Sequence, residues 1–200
     1  MNQLFKSLYD SVVINTNRPN LVAETKKAIK EATLELHNRG SFVADVREAI
    51  LTSTNGGKGD FKFSIPKEKR VRKILNVSPV DNIGRCGIKL TRVGMFEHPK
   101  CGAWYSWANG VLKIHVAEYV PSFLLSFLSF PDLDEQTYES WIAEVYPHYI
   151  TDLASFRVLN NMNMTQQAGI YKALVGEARL PGTHIFNLLQ DSEEVEDVDN

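Results

Sequence analysis

Four side chains in this sequence could bind a metal: Cys86, His98, Cys101 and His115. Zinc takes thiolate and imidazole ligands, and its protein sites usually supply them in two close pairs, C-x2–4-C and H-x3–5-H. Only His98 and Cys101 stand close here; eleven residues separate Cys86 from His98 and thirteen separate Cys101 from His115. That spacing favours two small thiols and two incidental histidines, so no metal and no cofactor is expected. A cysteine nucleophile could be drawn from Cys86 or Cys101 with any of the five histidines, and nothing in the spacing selects a pair. No serine sits in a G-x-S-x-G elbow. Asn55-Gly56-Gly57-Lys58-Gly59-Asp60 has three glycines and a lysine, but not the order of a phosphate loop running from strand into helix, and reads as a mobile loop tip. Asp132, Asp134, Glu135 and Glu139 could supply paired carboxylates. They read instead as acids at the exposed start of a helix, offsetting its dipole, and not as a pair held across a cleft. No catalytic residue is expected, and the chain reads as non-enzymatic.

Charge is a stronger signal. Residues 58–92 hold ten Lys or Arg and three acids, whereas the last ten residues hold six acids and no base. The whole chain is at −2, and residues 1–190 are at +4. Lys58, Lys62, Lys67, Lys69, Arg70, Arg72 and Lys73 are the candidate contacts to DNA phosphates, with Phe61 and Phe63 interleaved about Lys62. No recognised nucleic-acid motif accompanies them. The expectation is therefore loose contact with DNA in a channel, or pairing with an acidic protein surface.

Two apolar segments point to protein partners. Residues 123–130 read as a buried or interface strand, and Phe123, Leu125 and Phe127 are the candidates for pairing between copies. Ile185, Phe186, Leu188 and Leu189 lie directly before the acidic end, as in an arm that docks on a neighbour.

The elements that must hold these residues follow from periodicity. Leu4, Phe5, Leu8 and Val12 suit one amphipathic helix. Thr16 or Asn17 can cap a second helix with Pro19 in its first turn; its stripe is Leu21, Val22, Thr25, Ala28, Ile29, Ala32 and Leu36, and Gly40 ends it as a left-handed cap. Phe42, Val46, Ala49 and Ile50 suggest a third helix after Ser41. Phe61, Phe63 and Ile65 alternate with Lys62 and Ser64, a half-buried strand stopped by Pro66; residues 71–80 and 88–93 are further strands. Asn109-Gly110 predicts a type I′ hairpin turn pairing Trp107 with Leu112 and Tyr105 with Ile114 on one face, and Ser106 with Lys113 and Trp104 with His115 on the other. Asp134 or Thr137 opens a helix carrying Tyr138, Trp141, Ile142 and Val145, Pro147 starts another through Val158, and Thr165 caps a last one with Ala168, Tyr171, Leu174, Val175 and Ala178 inward. Residues 1–57 are thus read as N-terminal helices, 58–131 as an antiparallel β region with the basic stretch, 132–182 as C-terminal helices, and 183–200 as an arm and acidic tail. Segregated runs of this kind give α+β.

At 200 residues and 44% apolar content the chain can bury a core without staples. Two cysteines make no disulfide framework, and a reducing compartment is expected. The start shows no signal-peptide pattern, and the most apolar stretch is too short for a membrane span, so no membrane partner is expected.

Two phrases carry a family resemblance. Asn15-Thr16-Asn17-Arg18-Pro19-Asn20-Leu21-Val22-Ala23-Glu24-Thr25, followed by Ala28 and Ala32-Thr33, resembles the opening of bacteriophage head-to-tail adaptor (connector or neck) proteins, with Asn20 where the family phrase has aspartate. Ser140-Trp141-Ile142-Ala143-Glu144-Val145-Tyr146-Pro147, then Ile150 and Ala154, resembles their second half. The resemblance covers about a quarter of the chain. It implies a helical bundle of N- and C-terminal helices with an inserted antiparallel β region. It also implies a ring, commonly of twelve copies, in the virion neck, assembled in the host cytoplasm. The implied partners are the portal protein, a tail or nozzle protein and further copies of the chain, with DNA passing through the lumen and Ile185 to Leu189 anchored on the portal. The family carries no catalytic residues to transfer.

Overall fold

The computed structural model describes residues 1–94, 99 and 102–176. They divide into two compact units, one of Met1–Ala44 with Phe130–Asn200 and one of Asp45–Ser129.

The first unit is helical: α1 (Gln3–Thr16), α2 (Val22–Asn38), α3 (Trp141–Val145), α4 (Pro147–Asn161) and α5 (Thr165–Gly176). Asn2 caps α1 by accepting the Phe5 N–H, which satisfies one of the orphan donors of a helix start. The face Phe5, Leu8, Val12 is buried, and Asn17 ends the helix in the left-handed region at φ 52°. Asn17 thus closes α1 and does not open α2, which starts after Leu21 with no side-chain cap. The stripe Thr25, Ala28, Ile29, Ala32, Leu36 is buried at helical spacing. Val22, expected to share that stripe, is exposed. Arg39, in right-handed geometry, closes α2 through its N–H to the Glu35 and Leu36 carbonyls, and Gly40 is not left-handed. Ser140 caps α3, and Pro147 occupies the first turn of α4, where its missing N–H costs nothing. Asp132, Asp134, Glu135 and Glu139 therefore precede α3 and do not form its first turn. Phe5, Leu8, Ile29, Leu36, Phe42, Ile142, Ile150 and Val158 meet in one core.

The second unit is a five-stranded sheet of β1 (Val46–Ser64), β2 (Val71–Val80), β3 (Thr91–Arg92), β4 (Trp104–Ala108) and β5 (Val111–Ser129). Its order is β1-β5-β4-β3, with β2 also on β5. The Asn109-Gly110 turn has positive φ at both residues, 50° and 77°, as type I′ requires. The β4–β5 register is the one that the turn dictates: Trp104 opposite His115, Tyr105 opposite Ile114, Ser106 opposite Lys113, Trp107 opposite Leu112.

β5 changes phase halfway. Leu112, Ile114, Val116 and Val120 are buried, then Phe123, Leu125 and Phe127, and all belong to one core. Side chains of a strand alternate faces, so an odd step between 120 and 123 requires an irregularity. Pro121 stands there, outside the ladder pairings, where no strand asks for its absent N–H. β1 answers with register shifts between Thr52 and Gly57 and between Gly57 and Gly59, and Gly59 takes φ 103°, a conformation that glycine adopts without steric cost.

The structure corrects three expectations. The bundle with an inserted antiparallel β region gives way to a sheet-dominated α+β fold: the sheet is mixed, since β3 runs parallel to β4, and it closes a core of its own. The helix drawn through Phe42, Val46, Ala49 and Ile50 is instead a short 3-10 turn, Val43–Asp45, followed by β1, so the helical section ends near residue 44 and not at 57. The segment from Asn55 to Asp60 is a bulged part of β1 and not a loop tip.

Candidate functional site

The strands β4, β5 and β1 lie side by side in a register that sorts their residues into rows. Tyr105, Ile114 and Phe61 form one row, and Trp107, Leu112 and Phe63 another. Both face the core, where the Phe61 and Phe63 rings meet Phe123 edge-on at 5.2 and 5.9 Å between centroids. The intervening rows fall on the opposite face by the pleat. They are Trp104, His115, Asp60 and Ser106, Lys113, Lys62.

The first polar row is held together. His115 Nδ1 lies 2.8 Å from Asp60 Oδ1, and an ionised carboxylate can only accept, so Nδ1–H donates. The buried Trp104 ring stacks on the imidazole at 5.5 Å and 13°. The second row is opposed: Lys62 and Lys113 stand directly across from one another. Neither lysine makes an ion pair among the described residues. Asp60, Lys62, Trp104, Lys113 and His115 line a half-open groove of about 500 Å³. Around it, the 45–129 unit has 13 Lys or Arg against 7 acids, a net charge of +6, while the rest of the chain has 9 against 17, a net of −8.

The basic residues singled out from sequence are spread over three elements and the residue that follows one of them. Lys58 and Lys62 are in β1; Lys67 and Lys69 are on the 3-10 turn Lys67–Lys69, followed by Arg70 at φ 48°. Arg72 and Lys73 are in β2, and Arg72 is already engaged, 3.4 Å from the buried Asp45 carboxylate. Burial lowers the Arg72 pKa, and Asp45 opposes that shift. Of the four metal candidates, Cys86 is exposed, His115 is bonded to Asp60, and His98 and Cys101 lie outside the described residues. The strand proposed for pairing between copies is corrected: Phe123, Leu125 and Phe127 are buried, and that half of β5 has β1 on one edge and β2 on the other. Ile185, Phe186, Leu188 and Leu189 also lie outside the described residues.

The helical unit holds a second polar cluster, of a different kind. Thr33 donates to the Ile29 carbonyl, so at 2.6 Å the Tyr138 hydroxyl donates to Thr33. Ser140 Oγ accepts the Ala143 N–H and lies 3.0 Å from His37 Nε2. All four side chains are buried, and burial pushes the Tyr138 hydroxyl up to about 12 against the hydrogen bonds to Thr33 and Ser140. This network ties α2 to the start of α3 inside the core. A groove of about 460 Å³ elsewhere in this unit is lined by Glu35, Arg39, Arg157 and Lys172 among others, its charges paired by Arg157 with Glu31 and Glu35.

The sequence assigns no role to Asp60 or Lys113, and weighs His115 only as a metal ligand. The signal that could have found them is the alternation of Asp60, Lys62 and Ser64 with Phe61 and Phe63 in β1. Compared with known families and with curated proteins, the chain matches no family model and no curated protein.

Proposed function

We propose that the chain is a virion structural protein without catalytic activity, a head-to-tail adaptor of a tailed phage. It assembles into a ring of about twelve copies on the portal, joins it to a tail or nozzle protein, and lets DNA pass through the lumen. Its site of action is the phage neck, reached by assembly in the host cytoplasm. The observation that supports this reading is where the two resembling phrases fall. The Arg18-Pro19-Asn20-Leu21-Val22 phrase leads into α2, the Trp141 to Pro147 phrase makes α3 and the first turn of α4, and α2 and α4 share one core. Ile170 and Leu174, four apart on α5, are 63% and 52% exposed, apolar surface suited to a neighbour. The segment at residues 185–189 serves as the portal anchor.

The test is mass by light scattering, alone and with the portal protein of the same genome, followed by electron micrographs of any large species. A ring on the portal is expected, lost on deletion of residues 183–200. A monomer with no portal affinity overturns the reading. A ring that binds tail protein and no portal would make it another neck or tail completion protein. The +6 charge of the 45–129 unit favours a second reading, a nucleic-acid-binding module that uses residues 58–92.

A further inference from the structure

The cross-strand lysines need an explanation. Like charges directly opposite on antiparallel strands disfavour the sheet, and Lys62 and Lys113 stand in that relation without an acid to separate them among the described residues. The acid nearest in register, Asp60, is taken by His115. An anion bridging the two ammonium groups would turn the repulsion into two charge-assisted hydrogen bonds.

We propose that this face of β1, β5 and β4 binds the phosphate backbone of duplex DNA, with Lys62 and Lys113 holding one phosphate between them. The Asp60–His115–Trp104 row forms the rigid wall beside it, because the imidazole is fixed on one side by a hydrogen bond and on its face by the indole. Two observations select a nucleic-acid backbone over an acidic protein. The polar rows offer charge at Lys62 and Lys113, and their one apolar side chain, Trp104, is buried against His115. A protein partner draws its energy from apolar anchors in pockets, whereas a phosphate backbone is held chiefly by Lys and Arg charge and needs no such anchor. The unit also carries +6 over 85 residues, the sign of charge that a polyanion requires. The shared chemistry is the phosphate group, and a small phosphate is the competing occupant.

The proposal takes its ligand from the DNA-passage part of the function above, but it is tested without a portal. Full-length protein is titrated into a short labelled DNA duplex across a salt series, and the same preparations are assayed for portal docking. The variants are Lys62→Gln/Lys113→Gln, and Lys67→Gln/Lys69→Gln as a control with the same loss of charge on exposed turn residues. The groove variant is expected to bind about tenfold or more weakly at low salt. Its slope of log K against log salt should be shallower by about 0.9, because one phosphate is no longer neutralised. The control keeps most of its affinity, and Lys62→Arg/Lys113→Arg restores binding. Circular dichroism checks that each variant is folded. Equal losses in the groove and control variants would overturn the proposal in favour of diffuse charge. Full displacement of duplex by millimolar inorganic phosphate, at a salt concentration matched with chloride, would overturn it in favour of a small-phosphate site. Absence of duplex binding by the wild type would also overturn it. Portal docking that survives in the groove variant separates this inference from the adaptor reading.

Discussion

In the helical unit Glu135 sits between Lys26 and Lys30, at 2.7 and 3.3 Å, and Arg157 reaches both Glu31 and Glu35. In the β unit Lys62 faces Lys113, and Asp60 has His115. The same side-chain types are thus put to opposite use. Helices place residues three and four apart on one face, so Lys26 and Lys30, or Glu31 and Glu35, can be set together against one opposite charge. The helical unit does this, and the pairing shows in its carboxylates. Burial disfavours ionised Glu35, yet the hydrogen bonds from Arg39 and Arg157 outweigh it and hold its pKa below the usual range. The hydrogen bond from Lys26 does the same for Glu135. On the polar rows of the sheet the charge is left facing outward. A surface whose charges are mutually satisfied contributes to its own fold, and one whose charges are not is available to a partner.

The comparison rests on each unit having a core of its own, and the largest expected effects test that. Phe5→Ala and Phe123→Ala each remove a fully buried ring and should cost about 3–5 kcal/mol by urea titration, with amide exchange rising first in the unit mutated. A loss under about 1 kcal/mol for either would mean that its cluster does not hold that unit together. Tyr138 gives a pH test confined to the helical unit. An unfolded tyrosine ionises near 10, and the buried one near 12. Its contribution is complete below about pH 10 and is lost as pH rises toward 12, about 2–3 kcal/mol in all. Tyr138→Phe should remove that extra slope; an unchanged slope in the variant would place the titration elsewhere.

Arg72 is the exception within the β unit, since its cation is turned inward to buried Asp45. Arg72→Met should cost roughly 2–3 kcal/mol, and the double variant with Asp45→Asn less than the sum of the two single changes. Simple additivity would show that the pair is incidental.

How much of this was legible depends on how local each cause is. The β4–β5 hairpin could be read to the residue because Asn109-Gly110 fixes both the turn and the register. The α4 stripe Ile150, Leu153, Ala154, Val158 needed only its own periodicity. β1 was misread at its start because Phe42, Val46, Ala49 and Ile50 fit helical spacing, while what decides the matter is pairing of Val46 with Leu128 and Ile50 with Leu124, more than seventy residues away. Residues 123–130 look like an interface strand for the same reason: their apolar character serves a central strand, and nothing local says which strands flank it. The candidate site was half visible. Lys113 and His115 fell on the mixed face of the hairpin, but Lys62 and Asp60 join them only once β1 is laid against β5.

The smallest effects carry the sharpest contrast, because they differ in sign. Arg157→Gln removes a partly exposed cation from two carboxylates and should destabilise by about 1 kcal/mol, a loss that shrinks in high salt. Lys113→Gln removes a cation from beside another cation, and should leave stability unchanged or raise it by a few tenths of a kcal/mol at low salt. Salt should shrink this gain as it does the Arg157 loss, since both arise from screened charge. Urea midpoints of the two variants at low and high salt measure all four values. If Lys113→Gln proved as costly as Arg157→Gln, Lys113 would be serving its own fold, and the β unit would no longer differ from the helical unit in how it uses charge. If the signs are opposite, the repulsion between Lys62 and Lys113 is a standing cost in the unliganded protein, the cost that the proposed phosphate contact would relieve.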